Sequence, residues 1–259
     1  MPDLHVVLLL LAAAAAAGWF DAVSGGGGLV QLPALLLLLP GATPAQVLAT
    51  NKLSGVCGTS VAAGTYYRRV HPDLRTALPM AGVAFVGAAA GAAFASQMPE
   101  ELFRPLVLVL LVAVGSYVVT HPGIGDEQHL RWDGRRHHLA AAAGGLGIGF
   151  YDGIFGPGTG AFLVFLFVSL LGYSFLQGSA KARIVNLATN LGALLVFIPQ
   201  GAPLWRLGLL MGAANVAGGW VGAHTAIRRG SRFVRVVFLA VVGGLVLKLG
   251  FDVVQDALS

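Results

Sequence analysis

Apolar residues fill long runs of this chain, four in its first half and four in its second, and short polar segments separate them. A helix rises about 1.5 Å per residue, so the last three runs of each half can cross a hydrocarbon core of about 30 Å, some with local bilayer thinning. The pattern predicts an all-α integral membrane protein whose apolar runs cover residues 4–39, 45–67, 76–96, 103–120, 139–171, 175–198, 207–227 and 236–250.

The two halves of the chain resemble each other. A shift of 131 residues, without a gap, superimposes many glycines and also rarer residues, such as Asp21 on Asp152 and Gln46 on Gln177. Matched Asp, Gln, Arg, Pro and Met residues at one offset are hard to obtain by chance. We therefore predict a tandem duplication, which is typical of secondary transporters with the transport site between the repeats.

Glycine interrupts the first apolar run of each half. Residues 24–28 read SGGGG and residues 156–160 read GPGTG, and each break leaves an apolar arm of about 11 residues, or roughly 16 Å of helix, behind it. A break at membrane depth needs protein groups or a polar cavity to satisfy its backbone. Each half is predicted to begin with a broken or re-entrant helix pair, followed by three spanning helices.

Loop charge favours inverted-topology repeats. Parallel repeats would divide the loop Lys and Arg residues seven to five between the two sides of the membrane, whereas inverted repeats divide them ten to two. The positive-inside rule prefers the second arrangement. It gives one repeat over residues 1–120, a cytoplasmic connecting loop over 121–138, a second repeat over 139–259, and both termini outside the cytoplasm. The two arginines on the opposite side are Arg104 and Arg206.

Composition agrees with a membrane protein. Hydrophobic residues make up 56% of the 259 residues and charged residues 10%, with a mean hydropathy of +0.79. The apolar N-terminus could pass for a signal peptide, but it lacks a basic start and aligns with residues 132–149, so we interpret it as a membrane element. The net charge of +5 does not indicate nucleic acid, because the basic residues lie in loops.

Little in the sequence indicates an enzyme, a metal or a cofactor. The chain lacks Walker A, His-Glu-x-x-His and Gly-x-Ser-x-Gly motifs, and its single cysteine, Cys57, excludes an intramolecular disulfide. The histidines of the connecting loop have no regular ligand spacing. We expect no cofactor and no nucleic acid, and the expected partners are a small anionic substrate, membrane lipid and a second copy of the chain in a homodimer.

Two basic residues lie inside predicted spanning helices. The 131-residue offset places Lys52 on Arg183, and a cation there costs about 2.5–3.5 kcal/mol, so it usually faces a cavity, a counter-ion or an anion. We expect both to compensate the charge of an anionic substrate, although snorkelling to the interface is the alternative. Polar residues at helical spacing along the same faces are expected to bind its oxygens; these are Asn186, Asn190 and Thr59.

The matched acids Asp21 and Asp152 stand a few residues before the glycine breaks. The end of a helix dipole and the scarcity of water would both favour the protonated carboxyl group there, as a proton carrier requires. Capping of backbone amides at the broken helices is an equally good interpretation, and both roles could coexist.

The breaks themselves could bind an anion. Each short arm offers unpaired backbone N–H groups at its start, and inverted symmetry would bring the two starts together near the midplane. We expect these donors at Gly26, Gly27, Gly158 and Thr159. The alternative is that the glycines only allow close helix packing.

Residues 20–55 read FDAVSGGGGLVQLPALLLLLPGATPAQVLATNKLSG, and residues 151–190 read YDGIFGPGTGAFLVFLFVSLLGYSFLQGSAKARIVNLATN. With these motifs the chain resembles the TauE/SafE family of sulfite exporters, also called the 4-toluene sulfonate uptake permease family, over essentially its whole length. The motif matches residues 25–28 and Pro33, and it matches Gly156, Gly158 and Gly160 in the second half, where Pro33 has no proline counterpart.

The resemblance implies secondary transport of small sulfur-containing anions, such as sulfite or organosulfonates, across the bacterial inner membrane, coupled to an ion gradient rather than to ATP. Export by alternating access between the repeats is the expected mechanism. An anion channel, an uptake permease for another oxyanion or carboxylate, and a non-transporting assembly partner are the alternatives.

Overall fold

The computed structural model describes residues 2–95 and 127–258 of the chain. The predicted run 103–120, Arg104 and most of the loop before it lie outside the described residues. Within them every regular element is helical, as the sequence predicts. The elements are α1 (Leu4–Ser24), α2 (Gly27–Leu38), α3 (Pro44–Val70), α4 (Leu74–Phe94), α5 (Gly134–Ile154), α6 (Thr159–Phe165, continued by a π-helical turn at Leu166–Leu170), α7 (Phe175–Phe197) and α8 (Trp205–Leu258).

Three of the described helices are long and apolar enough to cross a membrane, namely α1, α4 and α7. The two arms behind the glycine breaks, α2 and the continuous segment Thr159–Leu170, are shorter and apolar. The arms begin at Gly27 and Thr159. The first apolar run of each half therefore forms two helices, a longer one before the glycine break and a shorter one behind it.

The predicted loops differ from the structure in two places. Residues 228–235, expected to form a loop, are helical on both sides of a break at Gly230, whose φ is 75°. Residues 134–138, expected to lie in the connecting loop, are also helical, since α5 begins at Gly134 rather than near residue 139. Both differences arise because arginines and histidines are tolerated in the end turns of a helix and do not terminate it.

Corresponding helices of the two halves start at the predicted offset. Pro44 and Leu74 open α3 and α4, and the residues 131 positions later open α7 and α8. For α3 and α7 the cause is a repeated N-cap: Thr43 Oγ1 accepts a hydrogen bond from Gln46 N, and Ser174 Oγ accepts one from Gln177 N, both at 3.3 Å. At Gln46 the side chain returns a bond to Thr43 N and completes a capping box.

The first helix of each half packs on a helix of the other half through glycine. Along α8, Gly218 lies against Ala15 and Gly222 against Trp19 and Ala22 of α1. Contacts therefore advance in the same direction on both helices, and α1 runs parallel to α8. A side chain at either glycine would collide with the backbone of α1, so only glycine permits this approach.

Helices α4 and α5 make the equivalent contact. Gly149 of α5 lies against Ala84, and Gly153 against Ala88 of α4, so these helices also run parallel. The glycines at residues 87 and 91 of α4 lie in turn against the backbone of α5. Glycines spaced four residues apart thus mediate both helix contacts.

Buried apolar clusters hold the two short arms in place. Leu32 and Leu35 of α2 lie in a cluster with Leu10 of α1, Val47 of α3 and Met211 of α8. The larger cluster holds α6 and its π-helical turn against the neighbouring helices, with Phe162, Leu163, Phe167, Val185 and Phe238 among its members. Both glycine breaks are thereby fixed in the interior of the bundle.

Candidate functional site

The two helix breaks meet inside the bundle. Gly25 ends α1 with a φ of 88°, and Gly156 follows α5 with a φ of 90°, conformations that favour glycine. Gly25 packs directly against the backbone of Gly160, so a side chain at either position would collide with the other break. Backbone-to-backbone contact of the two breaks is the reason that both are so rich in glycine.

Two buried ion pairs cross between the halves beside the breaks. Lys52 Nζ of α3 lies 2.6 Å from Asp152 Oδ1 of α5, and Arg183 Nη1 of α7 lies 3.0 Å from Asp21 Oδ1 of α1. A shift of 131 residues places Lys52 on Arg183 and Asp21 on Asp152, so it relates the two ion pairs to each other. Each cation predicted from the sequence thus pairs with the predicted acid of the opposite half.

The pairing excludes two alternative interpretations of these residues, namely snorkelling of the cations and amide capping by the acids. Lys52 is 2% exposed and Arg183 is 0% exposed, so neither side chain snorkels to an interface. Among the described residues, neither carboxylate accepts a bond from a backbone amide, and so the capping role expected as an alternative for Asp21 and Asp152 is absent there.

The two pairs differ in the number of bonds that hold them. Arg183 also donates to the backbone oxygen of Asp21 and, through Nε at 3.4 Å, to the backbone oxygen of Ser179. Asp21 Oδ2 accepts a bond from Thr59 Oγ1 at 3.2 Å. Each pair leaves one buried atom without a hydrogen-bond partner among the described residues, Asp152 Oδ2 in the first pair and Arg183 Nη2 in the second.

A polar cavity lies between the breaks and the ion pairs. Its volume is about 40 Å³, which is room for roughly three water molecules. Its lining combines glycine backbone with charged and neutral polar side chains: Asp21, Gly25, Gly27, Gly28, Gln31, Asn51, Lys52, Gly55, Thr59, Asp152, Gly156, Thr159, Gly160, Asn186, Asn190 and Asn215.

Most of the predicted site residues line this cavity, namely Lys52, Thr59, Asn186, Asn190, Gly27, Thr159, Asp21 and Asp152. Three others do not. Arg183 lies behind the lining against Asp21, Gly26 packs against the side chain of Val241, and Gly158 forms the cap of α6. Lys181, two residues before Arg183, also lies away from the cavity lining and contacts the backbone oxygen of Asp73 and the ring of Tyr173.

Three lining amides were missed at the sequence level: Gln31, Asn51 and Asn215. Gln31 Oε1 accepts bonds from Asn215 Nδ2 at 2.8 Å and from Ser54 Oγ at 3.3 Å. The available signal was a polar residue within an otherwise apolar run. None of the three has a polar counterpart at the 131-residue offset, so the repeat adds no weight to that signal.

Polar contacts also join the halves at the end of the bundle near the start of α5. Thr76 Oγ1 lies 3.2 Å from His137 Nε2 and 3.1 Å from Tyr173 OH. His137 precedes the apolar run of α5, and its burial, with the nearby His138 and Lys181, lowers its pKa below 6.5. The described residues hold no cluster of His, Cys, Asp and Glu that could bind a metal.

A buried polar cavity between the two halves of an apolar helical bundle is typical of membrane transport proteins. Comparison with known proteins gives the family. The sequence profile described as "Sulfite exporter TauE/SafE" matches residues 10–249, so the chain belongs to this family. It is a multi-pass membrane transporter, as the resemblance of its glycine-rich motifs implied.

Curated relatives agree on the class. The chain is 38% identical to the "Probable membrane transporter protein ORF9" of Sinorhizobium sp, over 86% of this chain and 84% of the relative. It is 34% identical to the "Probable membrane transporter protein YfcA" of Escherichia coli K12, over 86% and 82% of the two chains. A Haemophilus influenzae "Probable membrane transporter protein" is 30% identical, over 86% of each chain. No solved structure matches the chain.

Proposed function

We propose that this protein is a proton-coupled secondary transporter that exports small sulfur-containing anions, such as sulfite or organosulfonates, across the bacterial inner membrane. The observation that carries the proposal is the pair of cross-repeat ion pairs beside the amide-lined cavity. The two cations are balanced by two acids, so a bound anion needs a compensating positive charge in this buried place. Uptake of a proton by an acid supplies that charge.

The substrate class is supported by the family description and by the donors of the cavity. Asn186 and Asn190 carry amide N–H₂ groups that can donate to substrate oxygens, whereas the Thr59 hydroxyl, expected to do the same, already donates to Asp21 Oδ2. Gly27 and Gly28 open α2, where backbone N–H groups have no intrahelical acceptor. Several short donors around one point suit an ion whose oxygens surround one sulfur. The small cavity favours sulfite over a bulkier organosulfonate in this conformation.

We also propose that the two repeats are inverted in the membrane. Gln177, near the start of α7, bonds to Val70 O at the end of α3, and Asn190, farther along α7, lies against Gly55, earlier on α3. Therefore α3 and α7, which correspond at the 131-residue offset, point in opposite directions. This arrangement supports a cytoplasmic connecting loop and termini outside the cytoplasm.

Alternating access follows from the way in which the halves are joined. Each ion pair connects the third helix of one half with the first helix of the other. Rocking of one repeat against the other would change the distance across both pairs and open the cavity to one side at a time.

The test is transport by the purified protein in proteoliposomes. We expect an imposed pH gradient to drive radiolabelled sulfite uphill, and an ionophore that dissipates the gradient to abolish the accumulation. Protein-free liposomes are the control. Sulfite flux that only equilibrates and never accumulates would indicate an anion channel, and no flux together with no sulfite-induced shift in melting temperature would favour an assembly partner.

A further inference from the structure

We infer that the two ion pairs have different tasks: Lys52–Asp152 opens during each cycle to bind the anion and the proton, whereas Arg183–Asp21 stays closed as a structural connection. This inference rests on the proposed function and assigns its chemistry to one pair. The symmetry of the sequence gives no reason to separate the pairs, and the contacts in the structure do.

Access to the cavity separates the pairs first. Lys52 and Asp152 both line the cavity. In the other pair only Asp21 does, and Arg183 is fully buried behind it. An anion in the cavity can therefore reach the Lys52 ammonium group directly, but it meets the Asp21 carboxylate, which repels it, before it meets Arg183.

The number of bonds separates the pairs next. Among the described residues, Asp152 is the one partner of Lys52 Nζ. Arg183 is held by the Asp21 carboxylate, the Asp21 backbone oxygen and Ser179 O, and Thr59 holds the second carboxylate oxygen. Opening the first pair breaks one contact, whereas opening the second breaks a network of several bonds, which costs more because its members strengthen one another.

The unpartnered oxygen of Asp152 indicates where the proton goes. Asp152 Oδ2 is a buried acceptor without a hydrogen-bond partner, a state that is costly to maintain. A proton from solution forms an O–H bond there and removes the charge of the carboxylate. The Lys52 ammonium group then lacks its counter-ion and takes an oxygen of the anion instead. On release, the anion departs, the O–H bond breaks, and the original pair forms again.

Charge balance fixes the stoichiometry. One proton binds and crosses with one negative charge of substrate, so the charge of the cavity is the same before and after loading. Net export therefore runs when the outward gradient of the anion exceeds the inward gradient of protons. The other ionisable groups near these pairs are Tyr151, beside Asp152, and Tyr66, near Arg183 and Asp21. Tyr66 OH donates to Ala22 O at 2.9 Å, so it is engaged in holding the end of α1.

The 131-residue offset supplies matched variants for the test. In proteoliposomes, Asp152→Asn should keep the exchange of radiolabelled for unlabelled sulfite but lose accumulation under a pH gradient, with an inside-to-outside ratio of about 1 because coupling is gone. Asp21→Asn should lower both rates, because it leaves the buried Arg183 guanidinium group without its counter-ion, while accumulation relative to exchange is retained. Accumulation retained in Asp152→Asn, or lost selectively in Asp21→Asn, would overturn the assignment.

A measurement without substrate keeps the inference separate from the proposed function. As the pH falls, the infrared band of a buried protonated carboxyl group should appear in the wild type and in Asp21→Asn, and it should be missing in Asp152→Asn. If Asp152→Asn does not fold, the double variant Lys52→Gln/Asp152→Asn removes the pair without leaving a single buried charge, and it should lack the band. A band that depends on Asp21 contradicts the inference even if sulfite is not the substrate.

Discussion

At the scale of single residues, burial requires each charged side chain to have a partner of opposite charge. Lys52, Arg183, Asp21 and Asp152 could each have met lipid headgroups, water or substrate. In the bundle each meets an opposite charge from the other half of the chain. Buried ion pairs add little net stability, but removal of one partner leaves an uncompensated charge whose cost is large. The role of Arg183 can therefore be measured as the loss of stability when it is replaced.

Arg183→Gln should destabilise the protein, since it leaves the Asp21 carboxylate without its cation. The expected loss is about 3–5 kcal/mol, visible as a lower melting temperature in detergent at neutral pH. The double variant Arg183→Gln/Asp21→Asn should recover part of the loss, because no charge is left alone. An unchanged melting temperature in the single variant would show that Arg183 is not the structural connection that we infer.

At the scale of elements, glycine sets how closely the helices approach. On α4, Gly87 lies against the backbone of α5, where an added Cβ would stand 2.5 Å from Leu146 O. Gly82, on the same helix, has no atom within 4 Å of such a Cβ. The same residue type in one helix therefore serves packing at one position and not at the other.

Gly87→Ala should lower stability by about 1–3 kcal/mol through overpacking, whereas Gly82→Ala should leave it unchanged or raise it by up to about 1 kcal/mol through helix propensity. Thermal unfolding of the two variants side by side in the same detergent is the measurement. Equal effects at both positions would mean that α4 and α5 do not approach each other as described.

At the scale of the whole molecule, the direction of each helix relates the two halves. Helix α1, the first of the first half, packs parallel to α8, the last described helix of the second half. Helix α5, the first of the second half, packs parallel to α4, the last described helix of the first half. Contacts of this kind tie the halves into one body around the cavity. The inverted topology predicts that the equivalent turns, residues 71–73 and 198–204, lie on opposite sides of the membrane.

In a Cys57→Ser background, His71→Cys and Gln200→Cys place single thiols at exposed positions of the two turns. Inverted repeats predict that an impermeant maleimide added to intact cells, with the outer membrane made permeable, labels Gln200→Cys and spares His71→Cys. Both should react after the inner membrane is disrupted. Equal labelling of both in intact cells would indicate parallel repeats.

The sequence by itself determined the helical class, the membrane character, the 131-residue duplication and the position of both glycine breaks, because apolar length and glycine are local properties. It also selected eight residues that line the cavity. Orientation within a crowded interior depends on neighbours that are distant in the chain. Only the tertiary structure could therefore decide that the four charges pair across the halves, that Arg183 lies behind Asp21, and that Gln31, Asn51 and Asn215 complete the lining.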